Sequence, residues 1–321
     1  MQTVVGVLRG GVSSEHEVSL RSGATMLANL SPERYDARDI YIDKQGVWHD
    51  RGKPSTPERI LRQIDVALLP LHGEYGENGD LQRLLERFSV PYAGADSFHA
   101  YLAMHKLMAK MKAKEHGVAT PDFRYVESGT GADDIVREVV RSFLQPVVVK
   151  PVDSGSSVGV QMAAGFSPIL DAVQAIFAQG SRGVLIEERI RGKEATVGVV
   201  DDLRGQAQYA LPVIEIVPPE NDFFSYESKY NGASQEIVPG RFSRVETEEL
   251  QRLAKVMHRA LGQRHYSRSD FMVTPRKIYY LETNSAAAVG MTSESLLPKA
   301  LAAVGIPLAN FLEHVIGLAR A

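Results

Sequence analysis

The segment KPVDSGSSVGV, residues 150–160, ends an apolar run on Lys150 and continues with small residues. Gly155 and Gly159 permit backbone conformations that aim successive amides at one point, and such a nest attracts an anion. Ser156 and Ser157 add hydroxyl donors, and Lys150 adds a full positive charge. A phosphate chain suits this combination, although a Gly/Ser turn with a lysine at its edge has the same composition. It is not a Walker loop, since the Gly-Lys-Ser/Thr order and a following helix are missing. Any phosphate cover here is a loop between strands.

A second grouping comprises Arg268, Asp270, Glu282 and Asn284. Two strand-like runs, 267–273 and 278–282, flank a tight turn at 274–277. Residues two apart on a strand share a face, so Arg268 projects with Asp270 and Glu282 with Asn284. Pairing of the two runs can gather all four on one side. Two carboxylates and an amide oxygen suit magnesium, which takes oxygen donors and bridges substrate phosphates. The alternative is a solvated hairpin face. Against it, the acids are embedded in Phe271-Met272-Val273 and Tyr279-Tyr280-Leu281, where unpaired charge is costly.

Two further stretches are open to two readings each. In LIEERIRGKEATV, residues 185–197, Glu187 ends one apolar run and Glu194 begins another after Gly192. That hinge can receive an adenine edge on its backbone and a ribose on a carboxylate, or it can be a surface hairpin bearing acids. HGEYGENGDLQ, residues 72–82, follows a strand-like run, where open α/β sheets place ligands. It also reads as a turn followed by a capped helix.

The elements that must carry these groups alternate. Strands are expected at 3–8, 37–42 and 66–71, with a helix from Ser14, whose spacing to Glu17 suits a capping box. A Pro-containing helical stretch precedes the third strand. This order, ending near Gly94, predicts an open parallel sheet with helices on both faces. One helix is expected over 98–116, stopped by Gly117. Strands near 123–126, 147–150 and 158–162 surround a helix near 133–143. Longer, antiparallel-looking runs follow at 184–188, 194–200 and 209–216, then a polar aromatic loop over 218–234. A helix over 247–262, the hairpin and two closing helices complete the chain.

The 321 residues suffice for two or three domains, and 44% apolar with 23% charged residues is a globular α/β balance. A net charge of −3 and a pI near 6.3 provide no global field for nucleic acid or an anionic membrane. With no cysteine, disulfides and thiolate metal sites are excluded. MQTVVGVLRGG has too short an apolar run for a signal peptide, and no stretch reaches a membrane-spanning length, so the cytoplasm is the expected location.

Taken in order, the segments resemble the D-alanine–D-alanine ligase family of ATP-grasp enzymes, from about Val4 to Leu318. The likeness rests on RGGVSSEHEVSLRSG, HGEYGENGDLQRLLE, VPYAG, the helix bearing Lys106, VVVKPVDSGSSVG, EERIRGKEATV, FFSYESKY, SRSDF, and LETNS with GMTSESLLPKA. EHEVS, SYESKY and GMTSESL are the more family-specific of these. The resemblance implies an α/β chain with α+β elements: a three-domain ATP-grasp fold with an N-terminal Rossmann-like open sheet. Its expected divisions are 1–95, 96–182 and 183–321, with ATP held between two antiparallel sheets.

By motif position, the resemblance implies that Lys106, Lys150 and Lys229 contact phosphates, with Ser157 in the same nucleotide set. Glu187, Ile190 and Glu194 would hold adenine and ribose. Asp270, Glu282 and Asn284 would bind two Mg2+ ions, with Mn2+ an alternative. Glu15, assisted by Ser156 and Tyr230, would pair with the ammonium of the first D-alanine, near His72. Ser295 and Leu296 would meet the second substrate's carboxylate, and Arg268 with the Gly290 amide would stabilise the oxyanion. The product would be D-Ala-D-Ala, and the Lys-Tyr pair at 229–230 goes with peptide rather than depsipeptide formation. A homodimer formed through the N-terminal region is implied, without nucleic-acid or membrane partners. The 218–234 loop is the expected lid.

Several positions depart from the family pattern. Five residues, 285–289, separate Asn284 from Gly290, about two more than usual, and the usual proline is missing. A looser loop that aims the Gly290 amide poorly is expected. His105 replaces an Asp before Lys106, and Ser225 replaces an Asp in the lid loop. Glu294 replaces a commoner His, and an inward Glu294 would oppose a carboxylate ligand.

Overall fold

The computed structural model describes residues 2–155, 158–218 and 234–321. Ser156, Ser157, Ser225, Lys229 and Tyr230, and with them most of the expected lid, lie outside the described residues.

Three sheets organise the described residues. The first contains β1 (Thr3–Gly10), β2 (Tyr35–Ile42), β3 (Trp48–Asp50), β4 (Lys53–Ser55) and β5 (Val66–Leu68), in the order β4-β3-β2-β1-β5. β1 runs parallel to β2 and β5, as expected of an open sheet, and Val5, Val7 and Leu8 are fully buried. The edge differs from expectation, because β3 and β4 extend β2 as an antiparallel meander. The chain leaves β1 through Gly10 at φ +95°, where a Cβ would stand 2.2 Å from the Ile42 carbonyl oxygen. Only glycine fits that turn.

Helix α1 (His16–Asn29) starts two residues later than expected and has no side-chain cap, so the Ser14–Glu17 capping box does not form. Ser13 does the local work instead. Its hydroxyl donates to the His72 carbonyl at 2.7 Å and accepts the Glu15 amide at 3.2 Å. Between β4 and β5 lies the short α2 (Pro57–Leu61). After β5 come α3 (Glu74–Glu77) and α4 (Asp80–Arg87).

The single helix expected over 98–116 is two, α5 (Ser97–Met104) and α6 (Lys106–Glu115). His105 adopts an extended backbone, and the Lys106 amide turns away to the Val152 carbonyl at 2.9 Å. The break therefore places Lys106 at the first position of α6, tied to the loop after Lys150.

The second sheet holds β6 (Phe123–Glu127), β7 (Val147–Pro151), β8 (Gln161–Ala163) and β9 (Gly183–Glu187), in the antiparallel order β6-β9-β7-β8. α7 (Asp133–Ser142) and α8 (Phe166–Ala178) cover it around Val136, Val139, Ile169 and Val173. α8 has no counterpart among the sequence expectations. Because β9 lies between β6 and β7, this sheet extends to Glu187, past the division expected at 182.

The third sheet has the order β13-β12-β10-β14-β15, with β11 also on β10. Its strands are β10 (Lys193–Leu203), β11 (Gln206–Ala210), β12 (Ile214–Val217), β13 (Gln235–Ile237), β14 (Tyr266–Val273) and β15 (Ile278–Ser285). The run expected over 209–216 is split at Leu211 to Val213, where Pro212 has no amide to donate to a ladder. α9 (Arg244–Ala260) backs the sheet and opens with a complete Ser243/Glu246 capping box. α10 (Leu296–Ala303) and α11 (Leu308–Arg320) return to the first sheet, so Val5 and Met26 share a core with Leu301 and Phe311.

The long 285–289 loop is not loose. Ala286–Ala288 forms a 3-10 turn, with Ala286, Ala287 and Val289 buried and Ala287 packed into the core of the first sheet. Burial against the first sheet replaces the restraint that the absent proline would supply.

Candidate functional site

A cavity of about 440 Å3 opens between the second and third sheets. β7 contributes Val148 and Lys150, and β9 contributes Glu187. Across from them stand Asp270 and Met272 of β14 and Leu281 and Glu282 of β15. Ile190 and Glu194 also line it, as does Lys106 at the start of α6.

A β-bulge makes the third-sheet wall possible. β14 and β15 pair Arg268 with Asn284 and Asp270 with Glu282, then slip so that Phe271 faces Tyr280. Leu281 is the extra residue. In a regular strand Leu281 and Glu282 would point to opposite faces. The bulge turns both toward the cavity while Tyr280 stays in the core behind.

Asp270 is the hub of the acidic set. It accepts from Arg268 Nε and Nη2, both at 3.1 Å, from Asn284 Nδ2 at 3.0 Å, and from the Thr196 hydroxyl. Asn284 thereby turns its amide oxygen away from this carboxylate. Glu282 Oε2 lies 3.8 Å from Lys106 Nζ, and Lys106 also donates to the Ser154 carbonyl. Asp270, Glu282 and Asn284 thus present hard oxygen donors from adjacent, register-matched positions, a donor set that fits magnesium or manganese.

The opposite wall carries a buried charge cluster. Glu187, only 2% exposed, has Lys150 Nζ at 2.9 Å and Lys110 Nζ at 3.1 Å, both from its Oε1. Burial acts to raise the Glu187 pKa, but the two lysines outweigh it and hold the carboxyl below its usual range. Lys110 belongs to no sequence expectation, although its spacing of four from Lys106 puts both on one helix face.

A second group of candidates lies toward the first sheet. Glu15 and His72 are buried, and His72 Nε2 is 3.0 Å from the Ser22 hydroxyl. Burial pushes the His72 imidazole down to about 4, with Glu15 pulling it up and Arg268 pushing it further down. His72 is therefore neutral near pH 7. Glu77, within the quoted HGEYGENGDLQ motif but given no role there, accepts the Gly73 amide at 2.7 Å. Burial, then the charge of Glu15, raise its carboxyl to about 7.

Ser295 precedes α10, accepts the Thr292 amide at 3.1 Å and bonds the Thr292 hydroxyl at 2.9 Å; Leu296 is the first helical residue. A Cβ on Gly290 would stand 2.7 Å from Ser295 Oγ, so glycine permits that approach. Met291, the next residue, donates its amide to Ser22 Oγ at 3.4 Å, linking this loop to α1. Glu294 does not point inward. Its side chain is 84% exposed and lies 3.5 Å from Lys299.

Known proteins similar to this chain are D-alanine–D-alanine ligases and a related D-Ala:D-Ser ligase. Residues 4–60 match the family model described as D-ala D-ala ligase N-terminus, and residues 113–317 match D-ala D-ala ligase C-terminus. The chain is 37% identical over 318 residues to the D-alanine--D-alanine ligase of Geobacter sulfurreducens, covering 98% of this chain and 93% of that one. Among solved structures, the VanG D-Ala:D-Ser ligase of Enterococcus faecalis superposes with a TM-score of 0.87 at 25% identity, over 99% of this chain and 100% of that one. The D-alanine--D-alanine ligase of Bacillus anthracis complexed with ATP gives 0.80 at 29% identity, over 99% and 97%.

Proposed function

Because this chain belongs to the D-alanine–D-alanine ligase family, with its ATP-grasp fold, we propose that it joins two D-alanines with ATP to form D-Ala-D-Ala, ADP and phosphate for peptidoglycan synthesis. The observation that carries the reading is the inter-sheet cavity, which gathers Lys106, Lys150, Glu187, Glu194, Asp270 and Glu282 around one volume.

In this reading Ile190, Met272 and Leu281 sandwich the base, Glu187 meets its edge, and Glu194 takes the ribose. Lys106 and Lys150 face the phosphates, joined by Ser157 and Lys229. Asp270, Glu282 and the Asn284 amide oxygen would hold two magnesium ions, or manganese, which neutralise charge on the transferring phosphoryl group. Glu15, with Ser156 and Tyr230, orients the ammonium of the first D-alanine beside neutral His72. The substrate carboxylate then attacks the γ-phosphorus, ADP leaves and an acyl phosphate forms. The second D-alanine is held by its carboxylate at Ser295 and Leu296, where the α10 amides carry partial positive charge. Its amine attacks the acyl carbonyl, Arg268 and the Gly290 amide hold the oxyanion, and phosphate departs as the amine loses a proton. Each such oxyanion donor is worth about 2.7–4 kcal/mol. Closure of the 218–234 loop keeps water from the acyl phosphate.

The sheets support a division at 1–95, 96–187 and 188–321. We place the reaction in the cytoplasm, where ATP is supplied, and expect a homodimer formed through the N-terminal region. Among the described residues no single helix is long and apolar enough to cross a membrane.

The test is incubation with ATP, magnesium and D-alanine, following ADP, phosphate and dipeptide together. Dipeptide in step with ADP, lost in Glu282→Gln, is the expected result. D-Serine and D-lactate belong in the same assay, since the D-Ala:D-Ser ligase superposes so well. Product only with one of them would move the assignment to that acceptor, and ATP binding with no product from any pair would overturn the ligase.

A further inference from the structure

Glu187 has two counter-ions where one would neutralise it. Lys150 lines the cavity and projects from β7, whereas Lys110 is 0% exposed and reaches Glu187 from α6 behind the wall. Lys110 is anchored independently: its ammonium donates to Thr120 Oγ1 at 2.7 Å and lies 5.6 Å from the Phe123 ring centroid. Both lysines sit within 3.1 Å of Glu187 Oε1, so two ammonium groups converge on one buried carboxylate oxygen, one from the cavity side and one from behind. A buried carboxylate stays ionised only while such counter-charge remains beside it.

Resting on the ATP reading above, we propose that Lys110 is a positioning residue for nucleotide recognition, holding Glu187 as an ionised acceptor for the exocyclic amine of adenine and leaving Lys150 for the phosphate chain. Lys110 is suited to this because it has nowhere else to go. Lys150 lines the cavity and can turn from Glu187 to a phosphate oxygen. When it does, a buried carboxylate without Lys110 would lose its last counter-charge and take up a proton. A protonated Glu187 presents a donor where adenine also presents a donor. Burial already pulls the Lys110 ammonium down to about 8, and Glu187 is what keeps it charged near neutrality. The pair sustains itself as a unit.

Hypoxanthine carries a carbonyl where adenine carries the amine, so ATP and ITP separate this role from a merely structural one. Equilibrium binding of each, with magnesium and without D-alanine, would be measured by calorimetry. The unaltered protein should prefer ATP strongly, and Lys110→Met should cut that preference by about tenfold or more, partly through improved ITP binding. Should Lys110→Met fail to melt cooperatively, Thr120→Val decides. It keeps the ammonium but removes its anchor, and should cut the preference about two- to threefold. An unchanged ATP-to-ITP ratio in a folded Lys110→Met, or in Thr120→Val where the former does not fold, overturns the proposal. So does an unaltered protein that binds both nucleotides equally. No nucleotide binding by the unaltered protein would instead overturn the ATP reading itself.

Discussion

Glu187 and Glu77 are both buried glutamates lining two cavities that share Lys106 and Glu282, and they end in opposite states. Glu187 is 2% exposed and Glu77 is 7% exposed. Yet the Glu187 carboxyl is held below the usual range, while that of Glu77 is pushed up to about 7. Burial opposes ionisation in both. What differs is the company: two lysines stand within 3.1 Å of Glu187, while the charge of Glu15 adds to burial at Glu77. The placement of cations, not the depth of burial, decides which acid carries charge at neutral pH. On the wall of the inter-sheet cavity this yields a fixed anion. Toward the first sheet it yields an acid that can hold a proton.

The comparison breaks most visibly at Glu187. Glu187→Leu would leave Lys110 buried without its counter-ion, and stability should fall by about 3–5 kcal/mol in denaturant titration. An unaffected midpoint would mean that the cluster is not the compensated unit described.

Glu77 should make itself felt through pH. Its carboxyl ordinarily titrates at 4.5 and in the fold at about 7, so between those values the native state holds a proton that the unfolded chain has lost. Stability from this group therefore falls as pH rises from 4.5 to 7 and then levels. Glu77→Gln keeps an acceptor for the Gly73 amide and should raise the melting temperature at pH 8 while leaving it nearly unchanged at pH 4. Equal shifts at both pH values would contradict the assignment.

The smallest effect is expected at a third buried cluster. Ser267 Oγ lies 2.7 Å from His258 Nδ1, and His258 Nε2 lies 3.1 Å from Asp201 Oδ1, a Ser-His-Asp chain with the ring nitrogens exchanged relative to a hydrolase triad. Ser267 and His258 are fully buried, and neither borders the inter-sheet cavity. Ser267→Ala should cost about 1 kcal/mol of stability and leave ligase turnover unchanged. A large loss of turnover would show that this cluster communicates with the site.

Much of this was legible in the sequence because it depends on local rules. The period-two spacing of Arg268, Asp270, Glu282 and Asn284 foretold their gathering on one side of a hairpin, and their register pairs them directly. Lys150 at a strand end and the Glu187–Glu194 turn also reached the cavity as expected. What escaped depends on contacts distant in sequence. The break at His105 follows from Val152 claiming the Lys106 amide, and no propensity within 98–116 announces it. The capping box at Ser14 lost to a hydrogen bond between Ser13 and His72, 59 residues away. The 285–289 loop read as slack because its lack of proline is visible while its burial against the first sheet is not. Lys110 carries no signal of its own in a helix with several lysines, since only the fold puts Glu187 beside it.

The central claim is that the cavity between the second and third sheets takes ATP by its adenine edge at Glu187 and by its phosphates at Lys106 and Lys150. The most direct measurement is a crystal structure with magnesium and a non-hydrolysable ATP analogue. The account predicts the adenine amine on Glu187 Oε1, Lys110 unmoved, and Lys150 turned to a phosphate oxygen. A nucleotide bound elsewhere, or one that leaves Lys150 on Glu187 and the amine without a carboxylate partner, would contradict it.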